Sequence, residues 1–118
     1  MSERVRLNVS LTIHDGKLEA FQAIAREMVE TTRNESGALA YEWYFSGDGK
    51  RCRVIETYVN AHALEAHVAG SAVQQGLSKL LTISDMNSLE CYGVPGPNAE
   101  EKLGRVGAKI FSHWNGLV

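Results

Sequence analysis

The chain has 118 residues, of which 44% are hydrophobic and 22% charged. This length fits one domain, and the composition is typical of a globular protein and not of a disordered chain. The net charge is −2 and the basic residues are scattered, which argues against nucleic acid as a partner because phosphate backbones require dense cationic surfaces. The sequence has no apolar run of the roughly 20 residues that span a membrane, and its first residues do not resemble a signal peptide. We therefore expect a cytoplasmic protein without membrane contact.

The two cysteines, Cys52 and Cys91, stand far apart in the sequence. Neither belongs to a CxxC motif or to another spacing that is typical of metal ligands. We therefore expect both to be reduced and partly buried, and we expect no metal site.

The first third of the chain predicts a strand followed by a helix. From Val5 to His14 apolar and polar side chains alternate, which is the period of a β-strand. After Asp15-Gly16 the apolar residues recur every three or four positions, which predicts an amphipathic helix. Its expected buried stripe is Leu18, Phe21, Ile24 or Ala25, Met28 and Thr32. We expect Gly37 to follow its end in the left-handed conformation.

The middle of the chain predicts an antiparallel hairpin. Ala38–Ser46 and Arg51–Val59 are rich in aromatic and β-branched residues, and the glycines and aspartate between them favour a turn. The register stays open, because moving the pairing by one residue exchanges the faces of Trp43 and Tyr44.

The rest of the chain predicts two short helices and a last strand. Asn60 is expected to cap a helix that extends to Val68, and Ser71 with Gln74 fits a capping box for the next helix. The segment 85–94 reads as a strand that ends before two prolines. The chain beyond it reads as a tail.

This order of elements predicts an α+β fold, the ferredoxin-like βαββαβ arrangement with an antiparallel sheet and helices on one face. The other face is expected to carry Glu56, the polar residues of the first strand and the large aromatics. These residues are Asn8, Ser10, Thr12 and His14, with Tyr41, Trp43, Tyr44, Phe45 and Tyr58. So many large rings predict that a partner covers this face.

Three short motifs carry a resemblance to a known family. They are Tyr41-Glu42-Trp43-Tyr44, Val54-Ile55-Glu56-Thr57-Tyr58 and Ala63-Leu64-Glu65-Ala66-His67. The sequence around them, from Val5 to Val94, resembles the antibiotic-biosynthesis monooxygenase (ABM) superfamily, most sharply in the spacing of Glu56, Tyr58 and His67. The resemblance implies a dimeric α+β barrel, a homodimer in which each subunit keeps a pocket between its sheet and its helices.

The resemblance also implies a division of the chain. Residues 1–94 would form the ABM-like domain and residues 95–118 a C-terminal extension packed on the dimer partner. Its last part, Leu103 to Val118 with Phe111 and Trp114, looks like the segment that some members lay across the other subunit.

Branches of this superfamily differ in chemistry. The haem-degrading branch fits poorly, because its tryptophan falls at His67 and its iron ligand at Leu77, and leucine cannot bind iron. The quinol-monooxygenase and autoinducer-processing branches fit better through Glu56 and His67, although their second histidine falls at Ala72. The anthrone oxygenases match by residue type alone. The resemblance thus implies oxidation of a small electron-rich aromatic, quinol or polyketide-like, with dioxygen and no cofactor.

Cofactor-free oxygenation requires a base, donors for an oxyanion and a dry cavity. His67 is the candidate base, and Glu56 would hold its tautomer. The predicted donors are Asn8, Ser10 and Tyr58, and the predicted wall is Trp43, Phe21 and Leu64.

Other interpretations of the same residues stay open. His67 fits a satisfied buried histidine, and Glu56 fits an ion pair with Arg53 or with an arginine of the partner. The whole chain also fits a non-catalytic small-molecule-binding barrel, or an isomerase or lyase that acts on a small carbonyl compound through His67 and Glu56.

Overall fold

The computed structural model describes residues 3–117, so Met1, Ser2 and Val118 lie outside the described residues. The strands are β1 (Val5–Ile13), β2 (Ala38–Phe45), β3 (Arg51–Tyr58), β4 (Ser84–Tyr92) and β5 (Lys109–Phe111), and the helices are α1 (Leu18–Thr32), α2 (Ala61–Ala69), α3 (Ser71–Leu80) and α4 (Pro97–Arg105). The order from β1 to β4 confirms the predicted ferredoxin-like α+β fold, with α2 and α3 together as its second helical segment.

The strands form one sheet in the order β2-β3-β1-β4-β5. All pairs are antiparallel except β4 with β5, which is parallel. The alternation of β1 places its apolar residues, from Val5 to Ile13, in the core beneath the helices. The predicted stripe of α1 is confirmed, since Phe21, Ala25 and Met28 are buried.

The register of the hairpin decides which side chains face the helices. Tyr41 pairs with Glu56 and Trp43 pairs with Val54, while Glu56 also pairs with Leu7 of β1. Directly paired residues lie on the same face of a sheet, so Glu56 and most large aromatics face the helices. The expectation that they cover the other face is wrong. The reason is the register with β1, which pairs Cys52, Val54, Glu56 and Tyr58 with the buried residues Leu11, Val9, Leu7 and Val5.

The face of the sheet away from the helices, the open face, is therefore mainly polar. Of the large rings in the hairpin, Tyr44 lies here, paired with Arg53. Its other members include Arg6, Asn8, Ser10 and Thr12 of β1 and Arg51, Ile55 and Thr57 of β3. The aromatic argument for a partner on this face consequently fails, and the homodimer stays a prediction.

The predictions for the helix ends are confirmed in part. Asn60 caps α2 as predicted, because its side chain accepts a 2.9 Å hydrogen bond from the amide of Ala63. The prediction of a capping box is wrong. Gly70 is the N-cap of α3, and the side-chain amide of Gln74 donates to the carbonyl of Val68. Gly37 is not left-handed, because backbone bonds of the residues just before it already complete the end of α1.

Gly37 is instead required by close packing, and Gly37→Ala should lower the free energy of unfolding by about 1 to 3 kcal/mol. A Cβ at this position would overlap the Cβ of Ala63. Urea unfolding would measure the loss. Gly47→Ala is the matched control, since a Cβ there meets no described atom within 4 Å. Equal stability of the two variants would contradict the prediction.

The chain after Pro95 packs further on its own subunit than the sequence predicts. Ala99 and Leu103 of α4 are buried in the core, and β5 extends the sheet beyond β4. The segment after β5 is exposed, with Trp114 at 91%. Packing of this last segment on a partner stays a prediction.

Candidate active site

A cavity of about 410 Å³ lies between the sheet and the helices. Strands β1 to β4 and all four helices contribute to its wall. The apolar lining includes Leu7, Val9, Met28, Val68, Met86 and Leu89, and the polar lining includes Tyr41, Glu56, His67 and Gln74. A volume of this size accommodates a small organic molecule, and an apolar wall with few polar groups is typical of such sites.

His67 is held by a carboxylate from the loop after α1. It lies on α2 and is 3% exposed, and its Nδ1 is 3.0 Å from Oε1 and 3.1 Å from Oε2 of Glu35. An ionised carboxylate only accepts hydrogen bonds, so Nδ1 carries the proton and donates it. The neutral imidazole then has its lone pair on Nε2, which is the nitrogen that can act as a base.

Glu56 is the second carboxylate of the site and lies deeper than Glu35. It is 6% exposed, and its Oε1 accepts a 2.6 Å hydrogen bond from the hydroxyl of Tyr58. Burial raises the pKa of Glu56, while the charge of His67 and the Tyr58 bond act in the opposite direction. Nε2 of His67 is 3.7 Å from Oε1 of Glu56, which is too long for a hydrogen bond. Both groups therefore retain capacity for a ligand.

Two tyrosines complete the polar end. The ring centroids of Tyr41 and Tyr58 lie 5.3 Å and 5.1 Å from that of His67. Burial, reinforced by the charge of Glu56, raises the pKa of both phenols. Both hydroxyls therefore stay protonated at neutral pH and act as donors. Tyr41 lines the cavity, whereas Tyr58 lies behind Glu56.

Glu56→Gln should make the protein more stable at high pH. The folded-state pKa of Glu56 is raised, so the folded protein binds the proton more tightly than the unfolded chain does. Stability contributed by this group is present at low pH and is lost as pH rises through the folded pKa. The loss is about 1.4 kcal/mol for each pH unit between the two pKa values. Glutamine does not ionise and should remove this dependence.

Urea unfolding of both proteins between pH 4 and pH 9 would check this expectation. Exposed Glu42, on the neighbouring strand, supplies the control Glu42→Gln. A pH dependence that is the same in the wild type and in Glu56→Gln would contradict it.

The structure brings together three of the predicted site residues. Glu56 and His67 line the cavity, and Tyr58 is bonded to Glu56. Asn8 and Ser10 lie on the open face and do not line this cavity. The predicted wall residues Phe21, Trp43 and Leu64 belong to the packing around it, with Phe21 and Trp43 in edge contact at 6.1 Å. Arg53 points to the open face, so it is not the partner of Glu56.

The sequence analysis missed Glu35, Tyr41 and the end of α4. Glu35 lies in the loop after α1, and its contact with His67 spans 32 positions. Tyr41 shares a face with Trp43 and Phe45 by simple alternation, so a correct register would have identified it. Lys102 and Arg105 line the cavity from a helix that the sequence did not predict.

The cysteines and the possible metal ligands give no sign of a second reactive site among the described residues. Cys52 and Cys91 are unpaired and buried, and burial raises the pKa of each thiol to about 11. Within residues 3–117 no three histidine, cysteine or acidic side chains are grouped to hold a metal ion. None of the helices in this range has the length and apolar character to cross a membrane.

An α+β fold with an apolar cavity and an acid–base group inside it is typical of proteins that bind a small molecule. The model of the family described as antibiotic biosynthesis monooxygenase matches residues 4–78. The chain belongs to this family. No curated protein matches the sequence.

Solved structures share the fold. MupZ from Pseudomonas fluorescens has a TM-score of 0.83 at 21% identity, over 100% of this chain and 91% of that chain. SnoaB from Streptomyces nogalater, described as a cofactor-independent oxygenase, has a TM-score of 0.70 at 12% identity, over 81% and 97%. A conserved protein from Bacteroides thetaiotaomicron has a TM-score of 0.70 at 25% identity, over 77% and 97%. The MupZ match includes α4 and β5.

Proposed function

We propose that this protein is a cofactor-independent monooxygenase that oxidises a small electron-rich aromatic, quinol or polyketide-like, with dioxygen. The observation that carries the proposal is the hydrogen bonding of the two ring nitrogens of His67. Its Nδ1 is held by Glu35, and its Nε2 is free in an apolar cavity beside Tyr41 and Glu56. Membership of the family supports it, and so does the similarity in fold to SnoaB, a cofactor-independent oxygenase.

The polar groups of the cavity have defined tasks in the proposed reaction. Nε2 of His67 removes a proton from an acidic O–H or C–H group of the substrate, and Glu35 stabilises the imidazolium that forms. Tyr41 and the protonated form of Glu56 donate to the oxyanion. The apolar wall keeps water away from the electron-rich carbanion while it reduces dioxygen.

The atoms balance without another reductant. The reacting carbon loses two hydrogens and gains one oxygen atom as a carbonyl, and the second oxygen atom leaves as water. The electrons come from the C–H bonds of the substrate. Cleavage of the O–O bond needs a proton, which the imidazolium of His67 or the carboxyl of Glu56 supplies.

Dissolved-oxygen uptake tests the proposal. Metal-stripped protein would be mixed with a panel of hydroquinones, anthrones and naphthols, and consumption above the uncatalysed rate is expected for at least one class. Product analysis should show one oxygen atom from labelled dioxygen in the new carbonyl. No uptake on any compound would count against the oxygenase and favour a binding barrel.

A second candidate is an isomerase or lyase acting on a small carbonyl compound. It is favoured by a base at Nε2 of His67 and an acid at Glu56 only 3.7 Å apart, since isomerisation needs both and no oxygen. Exchange of substrate protons with deuterated solvent in the absence of oxygen would identify it.

We further propose that the protein is a cytoplasmic homodimer, with residues 1–94 as the family domain and residues 95–118 as the extension. On the open face, the cations Arg6 and Arg53 lie on the same surface as Glu42 and Glu90, which suits a self-complementary contact. Asn8 on this face has a buried Oδ1 without a partner among the described residues.

Sedimentation at micromolar concentration should give twice the mass of one chain. Truncation after Phe111 removes the exposed segment with Trp114 and leaves α4 and β5 intact, and it should weaken the dimer. A monomer at that concentration would contradict the dimer, and an unchanged dissociation constant would contradict the role of the segment.

A further inference from the structure

We propose that the substrate carries an anionic group, such as a carboxylate, in addition to its reacting carbon. In this proposal, Lys102 and Arg105 of α4 bind that group at the mouth of the cavity. Both residues are exposed and line the cavity together with the apolar residues Leu103 and Val106. The inference rests on the proposed function only in that it takes the bound ligand to be the substrate of that reaction.

Lys102 and Arg105 line the same cavity as Tyr41 and Glu56, and they reach it from α4, which follows β4 in the chain. The strands that line the cavity run from β2, which carries Tyr41, to β4, which carries Leu89, and three strand spacings separate β2 from β4, which is about 14 Å. A ligand of two or three fused rings with a short acidic arm spans this distance.

Charge decides which lining residues bind such an anion. The carboxylate of Glu35 lies beside His67 and disfavours a permanent anion there, whereas the transient oxyanion of the reaction is bonded by Tyr41 and protonated Glu56. On α4, Arg105 is paired with Glu101, one turn earlier on the surface of the helix. Lys102 lies between them in sequence and is exposed. A permanent anion is therefore favoured at α4.

The geometry of the lining explains why these charges act on a ligand and not only on solvent. Leu103 is buried in the core, so the turn of α4 that carries Lys102 and Arg105 is anchored against the sheet. Lys102 and Arg105 then flank an apolar entrance. An amphiphilic molecule with an apolar body and one negative charge matches both parts of this surface.

A matched pair of fluorescent probes tests the inference without turnover. Anilinonaphthalene sulfonate and phenylnaphthylamine share their rings and differ by one sulfonate. The anionic probe should bind the wild-type protein about tenfold more tightly than the neutral one, and this preference should shrink as salt is raised. Blocking the cavity with Leu77→Trp should weaken both probes.

Variants assign the preference to α4. Lys102→Gln and Arg105→Gln should each weaken the anionic probe about threefold to fivefold and leave the neutral probe unchanged. Glu101→Gln should strengthen the anionic probe, because it releases Arg105. Lys79→Gln, which removes an exposed cation of α3 outside the cavity lining, is the control and should change neither probe.

The outcomes separate this inference from the proposed oxygenase. If the two probes bind equally, or if the α4 variants lose both probes to the same extent, the anionic substrate is refuted whatever the oxygen-uptake result. If the preference for the anionic probe is lost in the α4 variants, the inference is supported even when no quinol or anthrone is oxidised. Acidic derivatives should then replace neutral compounds in the oxygen-uptake panel.

Discussion

Oxygen uptake by the His67→Ala protein is expected to be slower than that of the wild type by roughly 100-fold to 10,000-fold, because the variant lacks the base that ionises the substrate. The loss should appear in kcat, while KM should change little, since the apolar wall that binds the substrate is intact. Added imidazole should restore part of the rate, because the alanine leaves a space where the ring was. Oxygen-electrode measurements at saturating substrate give both constants.

The control for this variant is His62→Ala. His62 lies on the same helix but is exposed, so its removal should leave kcat unchanged. Circular dichroism and urea unfolding would establish that both variants are folded. An unchanged kcat in folded His67→Ala protein would remove His67 from the mechanism, and with it the central step of the proposed reaction.

Elements with a strict period are predicted closely from this sequence. The alternation in β1 and the spacing of three and four in α1 determine which side chains are buried, because each period places apolar residues on one side. The order of these elements then leaves the ferredoxin-like fold as the natural arrangement. The same reasoning fails for α4, which is short, contains Gly104 and has few apolar residues to mark a face.

The candidate site is predicted in part, and the reason lies in sequence separation. His67 and Glu56 are identified by their spacing in the family motif, and the structure places them 3.7 Å apart. The faces of the hairpin are predicted wrongly, because aromatic residues stand at both odd and even positions of β2 and Glu56 interrupts the apolar side of β3. No periodic pattern predicts the role of Glu35, because it lies in a loop. Its partner His67 follows only after β2 and β3, on α2.

Glu35→Gln is expected to lower kcat by about tenfold or more, although Glu35 lines no part of the cavity and touches His67 only at Nδ1. Glutamine keeps an oxygen that accepts the Nδ1 proton but removes the negative charge that stabilises the imidazolium in the transition state. The loss should fall on kcat and leave KM little changed, because Glu35 is not part of the cavity lining that binds the substrate.

Glu30→Gln provides the comparison, because Glu30 lies nearby at the end of α1 and pairs with Arg33 on the surface. That variant should keep the wild-type kcat. Glu35→Ala, which removes the acceptor as well as the charge, should fall below Glu35→Gln, since the ring is then free to turn and Nε2 loses its fixed position. Equal rates for Glu35→Ala and the wild type would mean that the tautomer of His67 is set by something other than Glu35, and the proposed base would lose its positioning residue.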